Sequence, residues 1–466
     1  MTRSIDSLIR RRVVIAAALL PAVGIARAAN EDGPTATQEG SPRNPPPPSL
    51  PPPPSGGPEL RLSQFMNGAR GGDASDALVA AMRQAVAQRK ELRVDGRYTI
   101  HADLIVPGSI TIVGGDNGED GFDLVPPSTS IKGGIHAYLM LDHGRPIEGV
   151  VFRNLTFRGN YDSRNWQGPL FVPIIRSSPQ NGTVHRDIRI HRCRFLDPSG
   201  DCIQISPQPG GKAEKIAVTE CEANVTVPLD RSTRSGDLLR TLLAYQDWQG
   251  HKTSYGTVAI DGVQVRNCRA RGIRTLADLK RGTGNFEVSD CRTEDMTDCH
   301  HSADGVFHGV FQRLDGVQHS PLARASDYIE VQGEDVTIRD FSYDSTVAAP
   351  VGGIVITPYH YPVEGPTAAH PSHDIHILNG RIRGIGQNAV RLIGADGVEV
   401  RNVTVADVKF AGLAVESPNG LVPGHIVIDG LFTSDGSIAT GVVVSKAARD
   451  VRVGTVTGFR ARSIER

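Results

Sequence analysis

Aromatic side chains are scarce in this chain, at 5% of 466 residues with only two tryptophans. A core must therefore be filled by aliphatic residues. Neither sign of charge prevails: 50 Lys and Arg stand against 51 Asp and Glu, a formal net charge of −1. The net charge gives no argument for nucleic acid or an acidic membrane as partner, and leaves room for a local charged groove. The 3.6-residue apolar stripe of helical repeat proteins is missing. Apolar residues instead alternate with polar ones, as in Ile188–Phe195 (IRIHRCRF) and Val398–Val408 (VEVRNVTVADV). The absence of a Cys-x-x-Cys pair argues against a structural zinc site. No run of aspartates specifies calcium. No phosphate-binding glycine loop or nucleophile elbow is evident, and no cofactor is expected, with calcium left open.

What the sequence does contain is a repeat. The segments IHRCRF (190–195), VTECEA (218–223), VRNCRA (265–270) and VSDCRT (288–293) share one pattern: an apolar residue, two polar residues, a cysteine and a further polar residue. Related copies are FRNLTF (152–157), IRDFSY (338–343), ILNGRI (377–382) and VRNVTV (400–405). Asp290 follows Asn267, and Asn402 follows Asn379, at the same interval of 23 residues. A strand-period pattern returning every twenty-odd residues marks a solenoid of β-coils, each burying its inner face only against its neighbours. The 51 glycines suit many short strands joined by tight turns.

The ends differ from the repeat. Residues 1–28 read as an export signal. Arg10, Arg11 and Arg12 precede an apolar run from Val13 to Ile25, too short to span a bilayer, and Ala26-Arg27-Ala28 supplies a small-x-small cleavage site. The paired arginines followed by Val-Val resemble a twin-arginine signal. Periplasmic or secreted localisation follows, with no transmembrane segment in the mature chain. Residues 29–58 carry two proline tetrads, Pro45–Pro48 and Pro51–Pro54, and read as an extended polyproline linker.

The folded region, 59–466, opens with NGARGGDASDALVAAMRQAVAQRKELRVDGRYTI (67–100). Asp73 or Ser75 can cap a helix whose apolar positions Leu78, Ala81, Met82 and Ala85 fall at i, i+3, i+4 and i+7. Strands at LRV and YTI follow around an Asp95-Gly96 turn. This order resembles the N-terminal cap of pectate-lyase-like right-handed β-helix proteins, a superfamily of polysaccharide lyases, glycoside hydrolases, epimerases and non-catalytic binders. The resemblance implies an all-β, single-stranded right-handed parallel β-helix whose helical cap covers the open end of the coil. It transfers no catalytic residue.

The six cysteines of an exported chain invite a disulfide framework. However, Cys193, Cys221, Cys268 and Cys291 occupy one slot of successive repeats, which predicts a stack of buried thiols. Cys202 and Cys299 each follow an aspartate and are expected to correspond.

Function on such a scaffold should appear as a column of polar residues, about 4.8 Å apart along the axis. The densest candidate combines Lys280 and Arg281 with His300, His301 and Asp304 as a catalytic set. Asp298, His308, Asp327 and Tyr328 stand beside it for substrate binding. A step of 23 residues is expected to stack Lys280 and Arg281 near His301 and Asp304, and Asp304 near Asp327. These groups suit β-elimination from a uronic acid: Arg281 withdraws charge from the carboxylate, and Lys280 or a histidine takes the adjacent proton. Alternatively, paired aspartates (Asp304 with Asp298 or Asp327) suit glycoside hydrolysis. A second candidate, PSGDCIQIS (198–206), resembles the Gly-Asp-Asp-Cys-Ile-Ala segment of polygalacturonase-type hydrolases, but keeps one aspartate, Asp201. Two loops offer groove walls: one at 357–374, with Tyr359 and His360, and one at 230–256, with Trp248. The reading is an exported enzyme cleaving an acidic polysaccharide, foremost by elimination. Hydrolysis and non-catalytic glycan binding are the alternatives.

Overall fold

The computed structural model describes residues 59–66, 72–125, 136–159, 161, 172–180, 182–229, 235–242, 258–321, 326–347, 352–360, 369–418, 421–434, 436 and 438–465. The export signal, the proline linker, Trp248 and the side chains of Tyr359 and His360 lie outside the described residues.

Alternating sequence becomes a three-faced coil. Each turn passes through a long strand on face A, a short strand on face B and a strand on face C. In one turn these are Val184–His191, Arg194–Leu196 and Ile203–Ile205, and the next face A strand is Lys212–Thr219. Each strand pairs in parallel with its counterpart one turn away, as in Ile188↔Ile216, Phe195↔Ala223 and Ile203↔Leu239. Among the described residues, thirty-three strands join in one continuous parallel sheet. The antiparallel exception among the described residues is the hairpin of Tyr359–His360 with Ala369–His370.

The repeat has a backbone cause. Between faces A and B ten successive turns each place one residue in the left-handed conformation: Asn154, Arg192, Glu220, Asn267, Asp290, Arg313, Asp340, Asn379 and Asn402 all have φ between 49° and 57°, and Gly430 takes φ 84° in the same column. Asparagine, aspartate and glycine tolerate this region best, which explains the polar residue before each repeat cysteine. The interval of 23 residues is borne out, since Asn402 Nδ2 donates to Asn379 Oδ1 (3.2 Å) and Arg313 grips Asp290 (2.6 Å) across that interval.

The interior is aliphatic, as aromatic scarcity requires. Columns such as Ile190–Val218–Val265–Val288 are fully buried, each residue contributing about 1.5–3 kcal/mol of apolar burial. Phenylalanines gather where the column allows; the Phe157 and Phe195 rings stack at 5.2 Å. Cys193, Cys221, Cys268 and Cys291 lie on successive coils, buried and free, and Cys202 and Cys299 are also buried free thiols. The cap helix spans Ser75–Gln88 with Leu78, Ala81, Met82 and Ala85 buried, as the periodicity predicts. Asp73 accepts from the Ser75 N–H (3.0 Å) and hydroxyl (2.7 Å) one position ahead of the N-cap, which is Ala74. No helix among the described residues is long and apolar enough to cross a membrane.

Candidate active site

Face C carries a network of buried and half-buried charged groups. Its outward column runs Arg176, Gln204, Arg240, Asp278, Ser302 and Glu330 on successive coils. A second column stands at the entrance to the same strands and contains Asp201, Asp237, Thr275, Cys299 and Asp327. Its backbone ladder includes Cys202 N–H to Asp237 carbonyl (2.7 Å) and Leu238 N–H to Thr275 carbonyl (3.0 Å). Where the columns meet, three aspartates and three cations form one network.

Asp201 is completely buried. Its Oδ1 accepts the Asp237 N–H (3.1 Å) and its Oδ2 accepts Gln204 Nε2 (3.0 Å), while Arg240 Nη1 stands 3.9 Å away. Asp237, also completely buried, is clasped by Arg274 through Nε (2.8 Å) and Nη2. Asp278 is 3% exposed and receives Arg274 Nη2 (2.7 Å), Lys280 Nζ (2.8 Å) and Arg240 Nε (3.4 Å). The cations form the accessible rim, with side chains 21–25% exposed.

These surroundings separate the carboxyls. Burial pushes Asp201 above the ordinary carboxylate range, with Arg240 and Arg274 opposing it at a distance. Burial also raises Asp237, against the pull of Arg274. Burial acts on Asp278 in the same sense, but Lys280, Arg274 and Arg240 together outweigh it and hold that group below its usual value. For Lys280, burial alone would lower the pKa; Asp278 and then Asp304 overcome it and raise it. Lys280 is therefore held as a cation. Arg176, further down the column, is lowered to about 10 by burial, with Asp201 opposing.

Two backbones approach closely here. A Cβ on Gly236 would lie 2.1 Å from the Gly200 carbonyl, so the segments Ser199-Gly200-Asp201 and Ser235-Gly236-Asp237 need glycine at their centres. This repeated Ser-Gly-Asp was the sequence signal for Asp237. It is hidden by a 36-residue interval that differs from 23. Arg240 and Arg274 carried no comparable signal.

The expected catalytic set is only partly assembled. Lys280 and Arg281 do face outward on face C, and Arg281 Nε lies 3.6 Å from Asp304 Oδ1. His300 and His301 require correction. Both are completely buried inside the coil, in line with Leu276 and Ala277 of the preceding turn. His300 Nδ1 and Nε2 bond Thr293 Oγ1 (2.7 Å) and Gln318 Oε1 (3.3 Å), whereas the ring nitrogens of His301 make no hydrogen bond. Burial lowers both imidazoles to about 3. They fill the corner where consecutive side chains both turn inward, and cannot share an outer groove with Lys280.

Tyr328 is likewise interior, its ring 4.7 Å from that of Tyr343 and 5.4 Å from His300, which removes it from substrate binding. His308 occupies a left-handed position on face A (φ 55°) and pairs there with Asp335 (2.7 Å), away from face C. Asp298 is half-buried, tied through its backbone N–H to the Arg274 carbonyl (3.1 Å). Asp304 registers with Gln332, not Asp327; Asp327 registers with Cys299. Cys202 consequently aligns with Leu238, Leu276 and His300, one position from the expected match with Cys299. A fixed step of 23 misplaces these pairs because the coils here advance by 24, 28 and more residues. Burial, followed by the charge of Glu330, pushes Asp327 up to about 8.

No protein-family model and no curated protein matches the chain. Solved structures do. PfbA, a surface adhesin of Streptococcus pneumoniae, is similar at 11% identity over 87% of this chain and 93% of its own, with a TM-score of 0.53. A mutant of DFA-IIIase from Arthrobacter chlorophenolicus A6, solved in complex with DFA-III, is similar at 10% identity over 85% and 98%, with a TM-score of 0.52. An N-terminal fragment of bacteriophage phi29 gene product 12 is similar at 10% identity over 87% and 72%, with a TM-score of 0.50. At these identities the likeness concerns the fold. Together with the parallel three-faced coil, it identifies the chain as a right-handed parallel β-helix protein.

Proposed function

We propose that the chain is an exported, carbohydrate-acting β-helix enzyme that hydrolyses a glycosidic bond on face C, with Asp201 as general acid and Asp278 as base or nucleophile. One observation carries the reading: the guanidinium of Arg240 stands between these two carboxyls, 3.9 Å from Asp201 and 3.4 Å from Asp278, while their surroundings drive them in opposite directions. Two neighbouring carboxyls with separated pKa values are what glycoside hydrolysis uses. Asp201, completely buried beneath Gln204 and Arg240 of the outward column, protonates the leaving oxygen once substrate displaces those two side chains. Asp278, ionised by its three cations, activates water or attacks the anomeric carbon. Asp237 anchors Arg274, which positions Asp278. A regular face of parallel strands gives an extended polymer a surface on which to lie.

β-Elimination is less well supported. It needs a neutral base at the sugar, and the groups expected for that task are a lysine held protonated by Asp278 and two histidines enclosed in the core. The test is incubation of the protein with acidic and neutral polysaccharides, reading reducing ends and unsaturated uronate together. Reducing ends without unsaturation, abolished in Asp201→Asn and Asp278→Asn, support hydrolysis. Unsaturation restores the lyase reading, and retention without cleavage makes the protein a glycan binder.

A further inference from the structure

The same face carries a second group of donors further along the axis. Cys299 and Asp327 register on adjacent coils, and Glu330 stands three residues beyond Asp327 in the outward column. Cys299 Sγ, one Asp327 oxygen and one Glu330 oxygen all lie within 4.8 Å of one another, and Sγ is 3.8 Å from Glu330 Oε2. A tetrahedral ion held by one thiolate and two carboxylates separates its donors by roughly 3.2–3.6 Å. Small side-chain rotations close the remaining gap.

Charge provides a second, independent observation. Each buried aspartate of the catalytic network has an arginine or lysine within ion-pair distance. Among the described residues, no lysine or arginine pairs with Asp327 or Glu330. Arg391, in the outward column two coils beyond Glu330, is committed to Glu416 through two bonds of 2.9 Å. Among the described residues, two carboxylates and a thiol thus converge with no lysine or arginine within ion-pair distance; Arg391 acts on Asp327 only from further away, and both carboxylates are partly accessible from the outer face.

We propose that Cys299, Asp327 and Glu330 bind a divalent transition metal of the zinc class, with a fourth position open to water or ligand. The donor set selects the ion. Calcium requires six to eight oxygens and does not use sulfur, whereas one soft thiolate with two hard oxygens matches zinc or cobalt. On binding, the Cys299 S–H bond breaks, the proton leaves to solvent, and the sulfur lone pair forms the metal–sulfur bond. Glu330 lies two coils from Asp278 in one column, roughly 10 Å along the axis, so the ion adjoins the hydrolytic network without belonging to it. The inference does not depend on the hydrolase reading.

Metal-free full-length protein is titrated with Zn²⁺ by calorimetry and with Co²⁺ by absorbance. One equivalent of Zn²⁺ should bind with proton release, and Co²⁺ should give a thiolate-to-metal charge-transfer band in the near ultraviolet. Cys299→Ser should abolish that band, and Asp327→Asn and Glu330→Gln should each weaken Zn²⁺ binding about ten-fold or more. Should the serine variant fail to fold, the two carboxylate variants decide alone. Wild-type protein without a thiolate band, a band surviving Cys299→Ser, or full affinity in both carboxylate variants overturns the proposal. So does Ca²⁺ binding that survives Cys299→Ser.

Discussion

Lys280 Nζ lies 2.8 Å from Asp278 Oδ1, and each residue raises the charged population of the other. Lysine here maintains a carboxylate instead of acting as a base. In Lys280→Met, Asp278 loses the cation that lowers it most and its pKa rises. The acid limb of the pH–rate profile should move upward by on the order of one pH unit, with activity recovering at higher pH. Disappearance of the acid limb, with no recovery at higher pH, would identify Lys280 as a base.

Replacing Asp201 or Asp278 by asparagine should reduce turnover roughly 100-fold or more. The two changes should alter the profile differently: loss of the acid removes the alkaline limb, and loss of the base removes the acid limb. Unchanged circular dichroism of the folded variants separates chemistry from collapse.

His301→Leu tests the interior placement. The imidazole makes no hydrogen bond inside the coil, so an aliphatic side chain removes a desolvation cost of about 1–3 kcal/mol. Thermal unfolding should occur at the same or a higher temperature, with turnover within about two-fold of the parent. A large loss of turnover at full stability would return His301 to the active site.

Interior histidines also set the acid limit of the fold. Burial lowers His185 to about 4, and His300 and His301 to about 3, whereas unfolded imidazoles protonate near 6.5. Below about pH 6.5 the unfolded chain therefore takes up protons first, and stability should fall by about 1.4 kcal/mol per histidine for each pH unit. Above that pH these groups contribute no slope. Asp237 and Asp327, raised by burial to about 8, contribute the opposite slope below that pH, so the histidine share is read from the difference in urea midpoints between the parent and His301→Leu from pH 4 to 8.

Gly236→Ala places a Cβ against the Gly200 carbonyl and should destabilise the chain by about 1–3 kcal/mol. Gly436→Ala, where nothing lies within 4 Å, serves as the neutral control in the same melting experiment.

The coil could be read from the sequence because its physical cause is local. Strand alternation and one left-handed polar residue per turn recur in every copy, so Asn267, Asp290, Asn379 and Asn402 fix both period and face. The site was less legible because it depends on register between coils of unequal length. Lys280 and Asp304 were matched correctly in neighbourhood, but a fixed interval of 23 carried Asp304 to Asp327 instead of Gln332. His300 and His301 misled for a different reason. Two consecutive side chains turn inward at that corner, and alternation cannot signal a double inward step. Asp237 escaped notice because its Ser-Gly-Asp lies inside the segment 230–256, read as a loop wall, of which Leu239–Thr241 is a face C strand.

The column of left-handed residues from Asn154 to Asn402 also works as a ruler. Its corner holds one left-handed residue in each of these coils, while the other two corners absorb the variation in coil length, from 23 residues between Asn379 and Asn402 to 47 between Glu220 and Asn267. Axial rise is therefore decoupled from chain length. Segments can be lengthened, shortened or exchanged at the free corners while every strand keeps its level, so new binding walls can be grafted beside Asp201 and Asp278 without altering the spacing between them.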